Sequence, residues 1–215
     1  MGEQPVQTTD AQLLDAWRRG VTAAGQELFE RHYEAIERFL HNKIGPDQAV
    51  DLAQEVFVAC VENRERIPDS ARFRTYLLGI AYRRLCQHLR ERYRRGPSVD
   101  ITELALHNLE PSPSARYARA TEQRLLLEGL RCIPLKYQVV LELYYWEDLG
   151  TAEIATVLDV APGTIRSRLQ RARDALEAAM ASIARSPEQL ESTVTRLEQW
   201  AASCRELSEW RRRAS

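Results

Sequence analysis

The chain has 215 residues, 44% of them hydrophobic and 28% charged, a balance that suits a domain folded in water and argues against global disorder. Its formal net charge is −1, it has no run of the roughly 18 apolar residues a membrane span needs, and the stretch MGEQPVQTTDAQ lacks the basic and apolar parts of an export signal. The expectation is a cytoplasmic protein with no membrane insertion.

Leu28, Tyr33, Ile36 and Leu40 recur at helical intervals and predict a first long helix, which Gly45-Pro46 separates from the next. That next segment is acidic, with Asp47, Asp51, Glu55, Glu62 and Glu65. Leu78, Ala81, Leu85 and Leu89 predict another helix, and it runs into YRRLCQHLRERYRR, Tyr82 to Arg95, where six arginines face one glutamate. A nearly neutral chain with charge segregated in this way can build local fields for two partners, one anionic and one cationic.

RGPSVDITELALHNLEPSPSA, Arg95 to Ala115, holds three prolines among polar residues and reads as an interdomain linker. It divides a first domain, 10–95, from a second, 115–184, with the linker itself at 96–114. Beyond lies an extension, 185–215, that starts at Ser186-Pro187 and carries Leu190, Val194, Leu197, Ala201 and Cys204 in a 4,3,4,3 rhythm, the mark of an amphipathic helix. It can dock on its own chain or meet another protein. No alternating strand pattern occurs, so the predicted fold class is all α. Cys60, Cys86, Cys132 and Cys204 lie far apart without metal-ligand spacing, so buried, reduced thiols are expected, and no metal or cofactor.

Within the second domain, GTAEIATVLDVAPGTIRSRLQRARDAL predicts a short helix, a tight turn and a longer helix. Gly150 or Thr151 can cap the first helix, with Glu153 in its first turn. Asp159 sits where the turn needs positive φ, and Pro162 suits the first turn of the second helix. On that helix Ile165, Leu169, Ala172 and Leu176 share one face, to be buried against Ile154, Ala155 and Leu158. The opposite side presents Thr164, Ser167, Gln170 and Arg171, with Arg166, Arg168 and Arg173 on its flanks. Only Asp174 offsets these charges before Glu177. An arginine fork matches guanine, glutamine can pair with adenine, and flanking arginines can hold phosphates, as a recognition helix in a major groove requires. A basic helix facing solvent or a protein would carry the same residues.

The run IPLKYQVVLELYYWEDLGTAEIATVLDVAPGTIRSRLQRARDAL closely resembles region 4 of bacterial sigma factors, in particular the extracytoplasmic function (ECF) subgroup. Upstream, DLAQEVFVACVENRERI followed by FRTYLLGIAYRRLCQHLRER resembles region 2 of the same family, in the family's order. The likeness spans Leu13 to Met180, which leaves the extension outside it. A response-regulator output domain would carry the helix-turn-helix without DLAQEVF.

The resemblance implies two small helical domains joined by a flexible linker, with core RNA polymerase and promoter DNA as partners. Asp51, Gln54 and Glu55 are then the expected contacts to the β′ clamp helices, with the β flap as a second polymerase contact. Phe73, Tyr76, Tyr82 and Arg83 are the candidates for trapping unpaired minus-10 bases, with a place in the core equally open to Phe73, and Arg84, Arg90 and Arg92 for holding the backbone. Thr164, Arg166, Ser167, Gln170 and Arg171 become the minus-35 readers. The family often has tryptophan where Tyr76 stands, arginine where Gly79 stands and asparagine where Arg83 stands, so its minus-10 preference does not transfer by analogy. An anti-sigma partner is a further expectation, and a stand-alone helix-turn-helix regulator is the alternative function. No P-loop, nucleophile elbow or HExxH occurs, so no enzymatic activity is expected.

Overall fold

A computed structural model describes residues 8–68, 72–93, 100–106 and 121–184. Among these residues there are eight α-helices, two 3₁₀ turns and no strand. The predicted extension and most of the linker lie outside the described residues.

The first domain begins with α1 (Asp10–Arg18), a helix the sequence reading did not single out. Thr9 caps it by accepting from the Gln12 amide, and the Gln12 side chain accepts in return from the Thr9 amide. Its Trp17 lies flat against α2 (Thr22–His41), so close that a Cβ on Gly25 would come within 2.5 Å of the indole ring. Leu28, Ile36 and Leu40 are fully buried, as their spacing predicts, while Tyr33 packs at the edge of the core.

The break at Gly45-Pro46 opens α3 (Pro46–Glu62), with proline in its first turn where a missing amide is harmless. Leu52, Val56 and Cys60 point inward. The long α4 (Phe73–Arg92) closes the domain by burying Leu77, Leu78, Ala81, Leu85 and Leu89. These four helices form the first layer of the molecule.

The second domain comprises α5 (Thr121–Cys132), α6 (Leu135–Tyr145), α7 (Thr151–Leu158) and α8 (Pro162–Ile183). The α7–α8 pair follows the sequence reading closely. The Gly150 amide donates to Glu153 Oε2 at 2.9 Å, Asp159 adopts the left-handed conformation at φ 53°, and Pro162 starts α8. Ile165, Leu169, Ala172 and Leu176 are buried against α7, α6 and α5, and Ile154, Ala155 and Leu158 are buried with them.

The part of the linker between Asp100 and Leu106 is docked on both domains. Ile101 and Leu106 are each 1% exposed, and the Leu104 carbonyl accepts from the Leu135 amide at 2.9 Å. The two domains also touch directly. α4 lies along α7, and the buried side chains of both domains form one continuous apolar cluster.

Candidate nucleic-acid interface

Burying Ile165, Leu169, Ala172 and Leu176 fixes the rotation of α8, and that rotation decides what the helix offers outward. Thr164, Arg166, Ser167, Gln170 and Arg171 are all exposed. Gln170 reaches the Asp174 carboxylate at 3.0 Å, and the Ser167 hydroxyl donates to the Thr164 carbonyl at 3.1 Å, so both are lightly held and free to exchange for other partners. Arg173 is different. Its Nε donates to the Tyr145 hydroxyl at 2.9 Å and its guanidinium lies over the Tyr144 and Tyr145 rings, which ties it to the domain as a structural group.

The seven residues expected on the minus-10 side do not form one open surface. Phe73 is 2% exposed and its ring packs 5.6 Å from that of His32, so it belongs to the core of the first domain. Tyr76 and Tyr82 are half-buried against the core. Burial pushes both phenols up from their ordinary value, and Tyr82 is hydrogen-bonded to the Cys86 thiol. Arg83, Arg90 and Arg92 are exposed, and Arg84 is half-exposed. Arg92 donates to Gln48 at 2.8 Å, and Arg84 stands 4.0 Å from Glu55 across the α3–α4 contact. The open part of α4 is thus a row of cations rather than a row of rings.

On α3, Asp51, Gln54 and Glu55 are all exposed on one face, and the apolar side of the helix lies beneath them. Val58 and Val61, 57% and 49% exposed, continue the same surface, and sequence reading passed over them. The signal was present in their spacing: position 58 stands one and two turns on from 54, 55 and 51. A face that joins acids to exposed valines suits a protein partner better than solvent alone.

The cysteines among the described residues carry no reactive signature. Cys60 and Cys86 are buried and Cys132 is half-buried; burial pushes all three thiols up, Cys60 to about 12. Among the described residues no helix is long and apolar enough to cross a membrane, and no cluster of three potential metal ligands occurs.

Comparison with known proteins places these surfaces in context. Residues 26–95 match the model for Sigma-70 region 2, and residues 123–176 match that for Sigma-70 region 4. The chain is 30% identical to the RNA polymerase sigma-H factor of Pseudomonas aeruginosa over 83% of its own length and 97% of that protein's. It is 26% identical to the ECF RNA polymerase sigma-E factor of Escherichia coli over 80% and 94% of the two chains. The fold is shared with CnrH in complex with the cytosolic domain of CnrY, at a TM-score of 0.63 and 21% identity, covering 81% of this chain and 99% of that one. It is also shared with RpoE of Bartonella quintana in complex with the anti-sigma factor NepR, at a TM-score of 0.55 and 18% identity, covering 73% and 96%. With a region 2 match, a region 4 match in the expected order and full-length relatives, the chain belongs to the ECF subgroup of the sigma-70 family of RNA polymerase sigma factors.

Proposed function

We propose a division of labour for this sigma factor in which α8 reads the minus-35 duplex, α4 holds the opened minus-10 strand and α3 docks on the polymerase. The observation that carries it is the single exposed face of α8, where Thr164, Arg166, Ser167, Gln170 and Arg171 stand opposite a fully buried apolar stripe. A helix so oriented can enter a major groove with an arginine fork and an amide at base height. Arg83, Arg84, Arg90 and Arg92 supply phosphate contacts to the melted strand, and Tyr76 and Tyr82 supply rings for unstacked bases once they are uncovered. Asp51, Gln54 and Glu55, extended by Val58 and Val61, meet the β′ clamp helices, and the second domain meets the β flap.

In this role the protein binds and positions nucleic acid in the cytoplasm, and the polymerase performs the bond chemistry. An anti-sigma partner, of the kind bound to RpoE of Bartonella quintana, whose fold it shares, would act by covering these surfaces.

Run-off transcription with purified core polymerase tests the assignment. Gln170→Ala and Arg171→Ala should each lower initiation at a cognate promoter by about 1–3 kcal/mol of binding, roughly 5- to 150-fold, and relax the preference at one minus-35 position. Asp51→Ala with Glu55→Ala should weaken assembly with core polymerase and leave the DNA preference intact. Wild-type protein that binds duplex promoter yet gives no promoter-dependent transcript would point to a stand-alone regulator instead.

A further inference from the structure

One acid stands among the arginines of α8. Asp174 is exposed, one turn beyond Gln170, and the next acid of the helix is Glu177. A carboxylate near phosphates costs affinity, because it repels the charge that Arg166 and Arg171 attract. Nor does Asp174 serve to hold its neighbour Arg173, which is committed to Tyr145. The hydrogen bond that Asp174 accepts comes from Gln170 Nε2, at 3.0 Å.

That bond has a fixed direction. A carboxylate oxygen only accepts, so the end of the Gln170 amide turned to Asp174 is its NH2, and Oε1 lies at the other end. Ser167, one turn earlier, is arranged alike. Its hydroxyl hydrogen goes to the Thr164 carbonyl, 3.1 Å away, which leaves lone pairs as what the oxygen offers outward. Both uncharged readers on this face therefore commit a hydrogen to their own helix and present an acceptor, between two exposed arginines that can only donate.

We infer that Asp174 is a positioning residue for promoter recognition: by holding the Gln170 nitrogen it makes Gln170 Oε1 the leading atom, so that α8 selects adenine or cytosine where Gln170 meets the minus-35 element. The inference rests on the assignment of α8 to that element. In the major groove adenine N6 and cytosine N4 donate, whereas guanine presents N7 and O6 and thymine presents O4, all of them acceptors. Oε1 set against an acceptor loses its hydrogen bond and meets a like partial charge. The second hydrogen of Nε2 can still pair with adenine N7, which ranks adenine ahead of cytosine.

A light hold is enough for this. The competing states are the two ends of one amide, of nearly equal energy, and a glutamine bonded to an acid four residues on is a stabilising pair on a helix even in water. Water excluded from the groove strengthens the bond further. Without Asp174 the amide turns freely and offers its NH2 to guanine or thymine as readily as its oxygen to adenine or cytosine.

The test is transcription by the full chain with core polymerase from a pool of promoters randomised across the minus-35 element, each with a barcode downstream of the start. Wild type should favour adenine and cytosine over guanine and thymine by about threefold or more at one position. Asp174→Glu can again only accept and should keep that ranking. Asp174→Lys donates instead, so it should draw Oε1 to itself, turn the NH2 to the base and move the ranking at that position to guanine and thymine. Its added charge raises binding at all sequences alike, which leaves the ranking readable. Position 174 is exposed and both replacements are better helix formers than aspartate, so α8 is not weakened.

Gln170→Ala, alone and combined with Asp174→Lys, separates the causes. The two proteins should share one ranking at that position, since nothing is left for residue 174 to position. A different ranking in the combined variant would mean that residue 174 meets the base itself, and the inference would be overturned. Asp174→Lys that keeps the wild-type ranking, while Gln170→Ala changes it, would overturn it too. If Gln170→Ala leaves every position as in wild type, Gln170 reads no base, and its minus-35 assignment falls first and takes the inference with it.

Discussion

His32 shows how burial and pairing compete at a single side chain. Its Nε2 stands 2.6 Å from Asp10, which favours the imidazolium, yet burial beneath Phe73 outweighs that pull, and the nearby Arg74 and Arg31 oppose protonation further. The folded protein therefore holds His32 below its ordinary value of 6.5. The unfolded chain takes up the proton first as pH falls, so stability from this residue is intact above 6.5 and declines through the window beneath it until the folded state protonates as well. Urea midpoints measured at about pH 7.5 and about pH 5.5 should fall on the acid side by more in wild type than in His32→Gln. Equal falls in the two proteins would mean that other groups set the acid sensitivity.

At the level of elements, α8 starts from an underused position. Ala161 occupies the cap of a 22-residue helix and provides no side-chain acceptor for the first amides. Ala161→Ser should add about 1 kcal/mol to the stability of the second domain, seen as a higher midpoint in thermal or urea unfolding. A midpoint unchanged within error would mean that the amides are already satisfied by water. Much of this element pair is legible in the sequence, because Asp159, Pro162 and the 165-169-172-176 stripe are local signals with local causes. Phe73 shows where such reading leaves two answers open. A ring at the start of a basic helix has the same spacing whether it faces a base or the core, and only the packing of α2 on α4 decides for the core. The helix α1 escaped notice for a related reason: Leu13, Leu14 and Trp17 make too short a period to stand out until Gly25 of α2 is seen beneath the indole.

At the scale of the whole molecule, the decisive groups were invisible in sequence because their partners are distant along the chain. Glu142 lies 99 residues from Lys43 and, in VVLELYY, reads as an ordinary interruption of an apolar helix. Burial pushes the Glu142 carboxyl up and the Lys43 amine down, so each would lose its charge without the other beside it. Neutralising Glu142 leaves the buried Lys43 ammonium without its paired charge, held by the Phe39 carbonyl and ring and by the field of Glu147, a situation that ordinarily costs about 3–5 kcal/mol. This chain has a cheaper response, since parting the domains returns Lys43 to water. The loss in Glu142→Gln should therefore stop at the free energy that holds the domains together, and their unfolding should uncouple. Hydrogen exchange along a urea series should show α4 and α6 losing protection at one midpoint in wild type and at two in Glu142→Gln. Replacing both partners, Lys43→Met with Glu142→Leu, removes the stranded charge and should bring the midpoints back together. A single midpoint in Glu142→Gln would mean that the apolar contact of α4 with α7 is enough to couple the domains, with the buried pair fixing only how they are oriented.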